Sequence, residues 1–181
     1  MSKPSQVVVL AEDQRHVRMV RHYLYRLGHT RHDIRVEDLP SGRGCGEQWV
    51  RDRYAKAVRT YRGRSGRAKT ALIVAIDADM GDVGRRVRQL REALEQRGLA
   101  ARTDVEVIVH LIPKRNVETW ILCLNDRPVD EISDYSGEAG VDGLIPRAAV
   151  TFFEWSRPNT TPPAHCVPSL LEAIPEIRRL G

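Results

Sequence analysis

The chain has 181 residues, 41% hydrophobic and 29% charged, with a formal net charge of +5. This composition suits one globular domain with a sizeable core, and no apolar run approaches the roughly 18 residues needed to cross a bilayer. The short apolar run near the N-terminus meets acidic residues at once, so we expect no signal peptide, no membrane partner and a cytoplasmic location. The three cysteines lie far apart without a CxxC pair, which argues against a zinc site and a disulfide framework.

Hydrophobic patterning predicts strands and helices in alternation along the first 125 residues. The predicted strands cover residues 6–11, 34–39, 71–76 and 105–112. The predicted helices cover residues 14–27, 47–62, 83–97 and 116–125, with a short terminal helix from Ser169 that Pro175 disturbs. Continuous apolar strands predict an α/β fold with a parallel sheet of four or slightly more strands and helices on both faces. Residues 1–125 would form this domain, with 126–181 as an extension packing on it.

Carboxylates gather where these strands end. Asp77 and Asp79 follow the third strand, Glu12 follows the first, and Glu118 lies just beyond the fourth. Because parallel strands bring their carboxyl ends to one edge of the sheet, these acids should converge. Like charges raise one another's pKa, so such a cluster needs a cation, and oxygen ligands suit Mg²⁺ or Mn²⁺. With Asp82 as an assisting acid, the pattern favours metal-assisted phosphoryl transfer.

Each of these acids also has an ordinary structural explanation. Asp77 and Asp79 could open a turn, and Asp82 could cap the next helix. Glu12 could begin a helix, and Glu118 falls in the first turn of its helix, where acids are favoured in any case. The histidines clustered early in the chain form no helical i, i+4 pair, so we assign them no metal role.

Charge is distributed unevenly along the chain. From residue 43 to 69, nine basic residues accompany two acidic ones, whereas from 121 to 181 five basic residues accompany nine acidic ones. A basic middle indicates an anionic partner, with nucleic acid the natural candidate, although a solvated arginine-rich face is the plain alternative. The residues expected to contact the phosphate backbone are Arg43, Arg51, Arg62, Arg64, Arg67, Lys69 and Arg115. Lys114, beside Arg115, is expected to help steady the scissile phosphate.

Two motifs carry a family resemblance. The first is VVVLAE, an apolar strand ending at Glu12, and the second is LIVAIDADMG, with Asp77, Asp79 and Gly81. This order resembles the TOPRIM domain of topoisomerases, DnaG-type primases, the ribonuclease that matures 5S ribosomal RNA, and OLD-type nucleases. The resemblance covers roughly residues 6–125. It implies a small parallel α/β fold and Mg²⁺ held by Glu12, Asp77 and Asp79, with Glu12 as acid or base near the metal.

A third segment extends this resemblance. IPKRNVETWI, residues 112–121, is similar to a segment of small stand-alone bacterial TOPRIM-like proteins. Several of those resemble toxins or nucleases of anti-phage systems encoded beside an ABC- or SMC-type ATPase, which implies such an ATPase as a partner and Glu118 as a further acid of the site. The chain departs from the pattern at Asp13, where many TOPRIM proteins have glycine. It also lacks the topoisomerase tyrosine domain and the primase zinc module, which leaves nuclease activity open.

Three functions are compatible with these residues. A Mg²⁺-dependent nuclease uses all the acids above. A phospho-receiver module would use Asp77 as phosphoacceptor, but Pro113 precedes Lys114 here, whereas receiver domains place the lysine before the proline. A non-catalytic nucleic-acid-binding or ATPase-partner subunit would use the acids only for a structural metal. The sequence leaves the oligomeric state open, with a homodimer as one option.

Overall fold

The computed structural model describes residues 3–40, 46–65, 68–79 and 81–181. Within these residues the strands form one parallel four-stranded sheet in the order β2-β1-β3-β4. Together with the helices around it, this sheet confirms the predicted α/β class. The strands are β1 (Gln6–Ala11), β2 (Ile34–Val36), β3 (Thr70–Ala75) and β4 (Ile108–Leu111). The helices are α1 (Gln14–Arg26), α2 (Gly46–Ser65), α3 (Val83–Glu95), α4 (Val117–Cys123), α5 (Val141–Trp155) and α6 (Pro168–Ile177). Two short 3-10 turns cover Arg31–Asp33 and Arg178–Leu180.

The two central strands determine which residues meet at the carboxyl edge of the sheet. β1 and β3 pair in register from Gln6 opposite Thr70 to Ala11 opposite Ala75. The pairing continues one residue further, because the amide of Glu12 donates a hydrogen bond to the Ala75 carbonyl at 3.0 Å. The residues that follow β1 and β3 therefore emerge side by side at the carboxyl edge.

Helices cover both faces of the sheet because β3 is apolar on both sides. Its residues alternate between two buried clusters, with Ile73 facing one and Leu72 the other. The first cluster packs the sheet against α1, α4, α5 and α6, and the second packs it against α2 and α3. All six residues of β3 are buried, as expected for a strand covered on both faces.

The C-terminal segment contains a helix, α5, that patterning did not predict. Gly143 and Pro146 in its first half weaken the helical signal. Pro146 lacks the N–H that would bond to the carbonyl of Asp142. That carbonyl instead accepts a hydrogen bond from the Arg18 guanidinium at 2.9 Å, which joins α5 to α1. Helix α6 likewise continues through Pro175, which was expected to disturb it.

The outer strands are shorter than patterning predicts. β4 begins at Ile108 rather than at residue 105, because residues 103–106 form a turn in which the Glu106 amide bonds to the Thr103 carbonyl at 3.3 Å. Val105, read as a strand residue, is 91% exposed in that turn. No described helix is both long and apolar enough to cross a bilayer.

Candidate functional site

Glu12 and Asp77 lie in direct contact at the carboxyl edge of the sheet. The backbone N–H of Asp77 donates to Glu12 Oε2 at 3.0 Å, across 65 residues of sequence. Gly46, the first residue of α2, packs onto Glu12 so closely that an added Cβ would lie 2.4 Å from Glu12 Cγ. The side chain of Glu12 is therefore held between the end of β3 and the start of α2, and only glycine fits at position 46 without a shift.

A buried histidine connects Asp77 to α1. His16, 2% exposed, has Nε2 3.0 Å from Asp77 Oδ1 and Nδ1 3.0 Å from Asp13 Oδ1. Asp13 also caps α1, because the same Oδ1 accepts the His16 backbone N–H at 2.9 Å. The imidazole thus bridges two carboxylates and fixes the orientation of Asp77.

The pKa values of Glu12 and Asp77 are both raised, chiefly by burial. Burial raises the pKa of Glu12 to about 7, and the nearby Asp77 charge reinforces it. Burial also raises the pKa of Asp77 to about 6, against the lowering effect of His16. Burial by itself would lower the pKa of His16, but the charge of Asp77 and the contacts with Asp13 hold it well above the ordinary value. One imidazolium therefore leaves the carboxylates of Glu12 and Asp77 incompletely compensated.

The other two aspartates that follow β3 do not contact Glu12. Asp79 is exposed, has a positive φ of 54°, and accepts a hydrogen bond from Arg86 Nη2 at 3.1 Å. The buried Arg86 guanidinium also contacts Glu47. Asp82 caps α3, with Oδ1 accepting the Arg85 N–H at 2.5 Å. Of the three aspartates, only Asp77 contacts Glu12, while the charge of Asp79 still contributes to the raised pKa of Glu12.

Glu118 approaches Asp77 from α4. It is 4% exposed and forms an ion pair with Arg15, which also reaches Asp142 at 3.4 Å. Its charge contributes to the raised pKa of Asp77, so the two carboxylates are electrostatically coupled. The helix that carries it begins as predicted, because Asn116 caps α4 through the Thr119 N–H at 3.2 Å.

The two basic residues before α4 pair with the C-terminal segment. Lys114 Nζ lies 4.0 Å from Glu131 Oε2, and Arg115 Nη2 lies 3.4 Å from Asp134 Oδ2. Their expected contact with a scissile phosphate stays a prediction.

Three of the predicted nucleic-acid contacts are spread along α2: Arg51, Arg62 and Arg64. Arg51 lies near its start, 3.0 Å from Glu47. Near its end, Arg62 binds Glu106 at 2.7 Å and the carbonyl of Ala100 at 3.0 Å, so it joins structural elements. Arg64 and Lys69 also lie towards the amino edge of the sheet, next to β3. Since 20 helical residues span about 30 Å, Arg62, Arg64 and Lys69 are far from the acid pair, whereas Arg51 lies nearer the end of α2 that packs onto Glu12. Arg43 and Arg67 fall outside the described residues.

His16 and the arginine partners of the acids were not among the predicted site residues. Asp13 and His16, three residues apart at the start of the helix after β1, carry a local signal, since an N-cap acid and the third helical residue face one another. Arg15 and Arg86 carry no such signal, because Glu118 lies 103 residues from Arg15 and Glu47 lies 39 residues from Arg86. Within the described residues, no three His, Cys, Asp or Glu side chains are arranged to hold a metal ion together.

Comparison of the chain with protein-family models, curated proteins and solved structures gave no match. The TOPRIM resemblance therefore rests on the motifs and their order in the sequence.

Proposed function

We propose that this protein is a metal-dependent phosphodiesterase of the nuclease type that acts on DNA or RNA. The observation that carries the proposal is the hydrogen bond between Asp77 N–H and Glu12 Oε2, which joins two partly or fully buried carboxylate residues at the carboxyl edge of a parallel sheet. Sites in this class of fold lie at that edge. The raised pKa values of both acids indicate a place where an added cation is favourable.

The donor chemistry fits Mg²⁺ or Mn²⁺. Mg²⁺ is typically bound through one or two carboxylates and keeps several waters, so the pair Glu12 and Asp77 suffices without a dedicated cage. Asp79, Asp82 and Glu118 are the further acids predicted for the site. Bound there, the ion would stabilise charge on a phosphoryl oxygen and lower the pKa of water.

The protein's own residues have separable roles in this proposal. Glu12 would act as acid or base near the metal, the role that the TOPRIM resemblance implies for it. His16 is a positioning residue, because it holds Asp77 Oδ1 at 3.0 Å and is itself oriented by Asp13. The buried apolar residues of β1 and β3 that precede Glu12 and Asp77 exclude water on that side, which strengthens the electrostatic interactions of the two acids.

A second candidate function follows from the arginine contacts. Asp79 is held by Arg86 and Glu118 by Arg15, so two of the predicted acids are already neutralised by the chain itself. This arrangement favours a non-catalytic nucleic-acid-binding or ATPase-partner subunit. Such a protein would bind nucleic acid or the ATPase without cutting.

A cleavage assay separates the two candidates. Single- and double-stranded DNA and RNA are incubated with the protein and Mg²⁺ or Mn²⁺, and the variants Glu12→Gln and Asp77→Asn are compared with Glu154→Gln, an exposed glutamate on α5. We expect metal-dependent cleavage that both site variants reduce by at least about 100-fold and the control preserves. Cleavage that persists in Asp77→Asn at the parental rate would exclude this site.

A further inference from the structure

A groove separate from the acid cluster lies between α2 and the sheet. It has a volume of about 160 Å³ and runs over β1 towards the edge strand β2. Of the strands, α2 packs against β1 and β3, which leaves this side of the edge strand β2 less covered. The groove is bounded by one helix and three strands, all of which belong to the described fold.

The floor of the groove is apolar. Leu10 and Leu72, from adjacent strands, and the ring of Tyr61 on α2 are buried beneath it, and the partly buried Val8 completes the surface. Pockets that enclose a drug-sized ligand measure about 300–1,000 Å³. A volume of about 160 Å³ instead suits a single planar ring system with the rest of the ligand outside.

The rim of the groove is basic. Arg35, Arg53, Lys56 and Arg64 line it, against the single acid Glu37. Arg35 lies 3.4 Å from Glu37, which leaves a net excess of three positive charges along one wall. Arg53 Cζ lies over the Trp49 ring, 4.5 Å from its centroid, and Lys56 is exposed.

A buried polar group in the wall adds an independent indication. Thr70, the first residue of β3, is 7% exposed, and its hydroxyl has no hydrogen-bond partner within the described part of the chain. Its side chain lies on the same face of β3 as Leu72, facing the groove. An unpaired buried hydroxyl costs free energy that a ligand with polar atoms would recover.

We infer that this groove binds a nucleotide, with the base on the apolar floor and the phosphate at the basic rim. A flat ring with polar edges suits the floor and the Thr70 hydroxyl, and a phosphate matches the excess positive charge. The nucleotide is either free or part of a single strand, where bases bind apolar and aromatic surfaces and the backbone binds cations. The inference does not depend on hydrolysis, so it and the nuclease proposal can fail separately.

Binding is measured in the Asp77→Asn background, so that no substrate is consumed. The ligands are adenosine monophosphate, by calorimetry, and a short fluorescent oligoadenylate, by anisotropy. Lys56→Glu reverses a charge at the rim, and Ala57→Leu fills the groove without changing charge. Arg59→Glu is the matched control, because Arg59 is an exposed residue of the same helix and does not line the groove.

We expect Lys56→Glu and Ala57→Leu each to weaken binding about tenfold or more, and Arg59→Glu to weaken it much less. Binding of the oligonucleotide alone identifies a strand as the source of the nucleotide, and comparable binding of the monophosphate identifies a free nucleotide. The inference is overturned if neither ligand binds, if the three variants weaken binding equally, or if inorganic phosphate competes as well as adenosine monophosphate.

Discussion

Lowering the pH from 7 to 5 should destabilise this protein through one buried histidine, His110 on β4. Its side chain is 6% exposed, its Nε2 lies 3.0 Å from the Tyr54 hydroxyl, and its Nδ1 has no partner among the described residues. Burial lowers the pKa of His110 to about 3, and the positive charge of Arg102 contributes. At pH 5 the imidazole of His110 is therefore neutral in the folded protein and protonated in the unfolded chain.

The magnitude follows from the difference in pKa between the two states. An unfolded histidine has a pKa of about 6.5, so between pH 6.5 and 3 the unfolded state binds the extra proton and stability falls as the pH falls. A pH of 5 is about 1.5 units below the pKa of the unfolded histidine. At about 1.36 kcal/mol per unit, protonation of the unfolded state lowers the free energy of unfolding by about 2 kcal/mol. At pH 7 the same effect is close to zero.

The assay is urea denaturation at pH 7 and pH 5 for the parent and His110→Gln. Glutamine can still accept a hydrogen bond from Tyr54 but does not titrate. The quantity compared between the two proteins is therefore the change in the free energy of unfolding from pH 7 to pH 5. The parent should lose about 2 kcal/mol more than the variant, and His32→Gln, which removes an exposed histidine, should follow the parent. Parallel losses in the parent and His110→Gln would refute the reasoning.

Two further predictions concern Arg86 and the C-terminal segment. Arg86→Met should release Asp79 and raise the affinity for Mn²⁺ by up to about fivefold, because a half-exposed ion pair contributes about 0.2–1 kcal/mol. Titration of Mn²⁺ measures this, and an equal rise in the exposed control Arg85→Met would show that Asp79 is not involved. Ser169→Ala should lower the free energy of unfolding, measured by urea denaturation, by about 1–3 kcal/mol, because the buried Trp120 Nε1–H loses its acceptor at 2.7 Å. A loss below about 0.5 kcal/mol would mean that this contact between α6 and α4 is not formed.

The sheet was predictable because its signal is local. Five of the six residues of β3 are apolar, and Gly28 and Gly98 mark the ends of two helices, so strand–helix alternation can be recognised without tertiary information. The convergence of Glu12 and Asp77 then follows from the rule that parallel strands share a carboxyl edge. Helix α5 was missed because Pro146 and Gly143 are unfavourable in a helix unless another element compensates, and here Arg18 does.

Side-chain orientation within the site was not predictable. Asp77 and Asp79 are two residues apart, yet one is buried against Glu12 while the other turns out to Arg86. The difference depends on the positive φ of Asp79 and on a buried arginine from α3, neither of which the motif encodes. His16 was set aside because no second histidine is placed to pair with it. Its partners are carboxylates, one of them 61 residues away.

The most direct test of the central claim is a crystal structure of the protein soaked in Mn²⁺, with anomalous data collected to locate the ion. The account predicts an anomalous peak within coordination distance, about 2.0–2.3 Å, of carboxylate oxygens of both Glu12 and Asp77, and no such peak in Asp77→Asn. An ion bound elsewhere while Glu12 and Asp77 keep only their mutual hydrogen bond, or a peak that survives in Asp77→Asn, would contradict it.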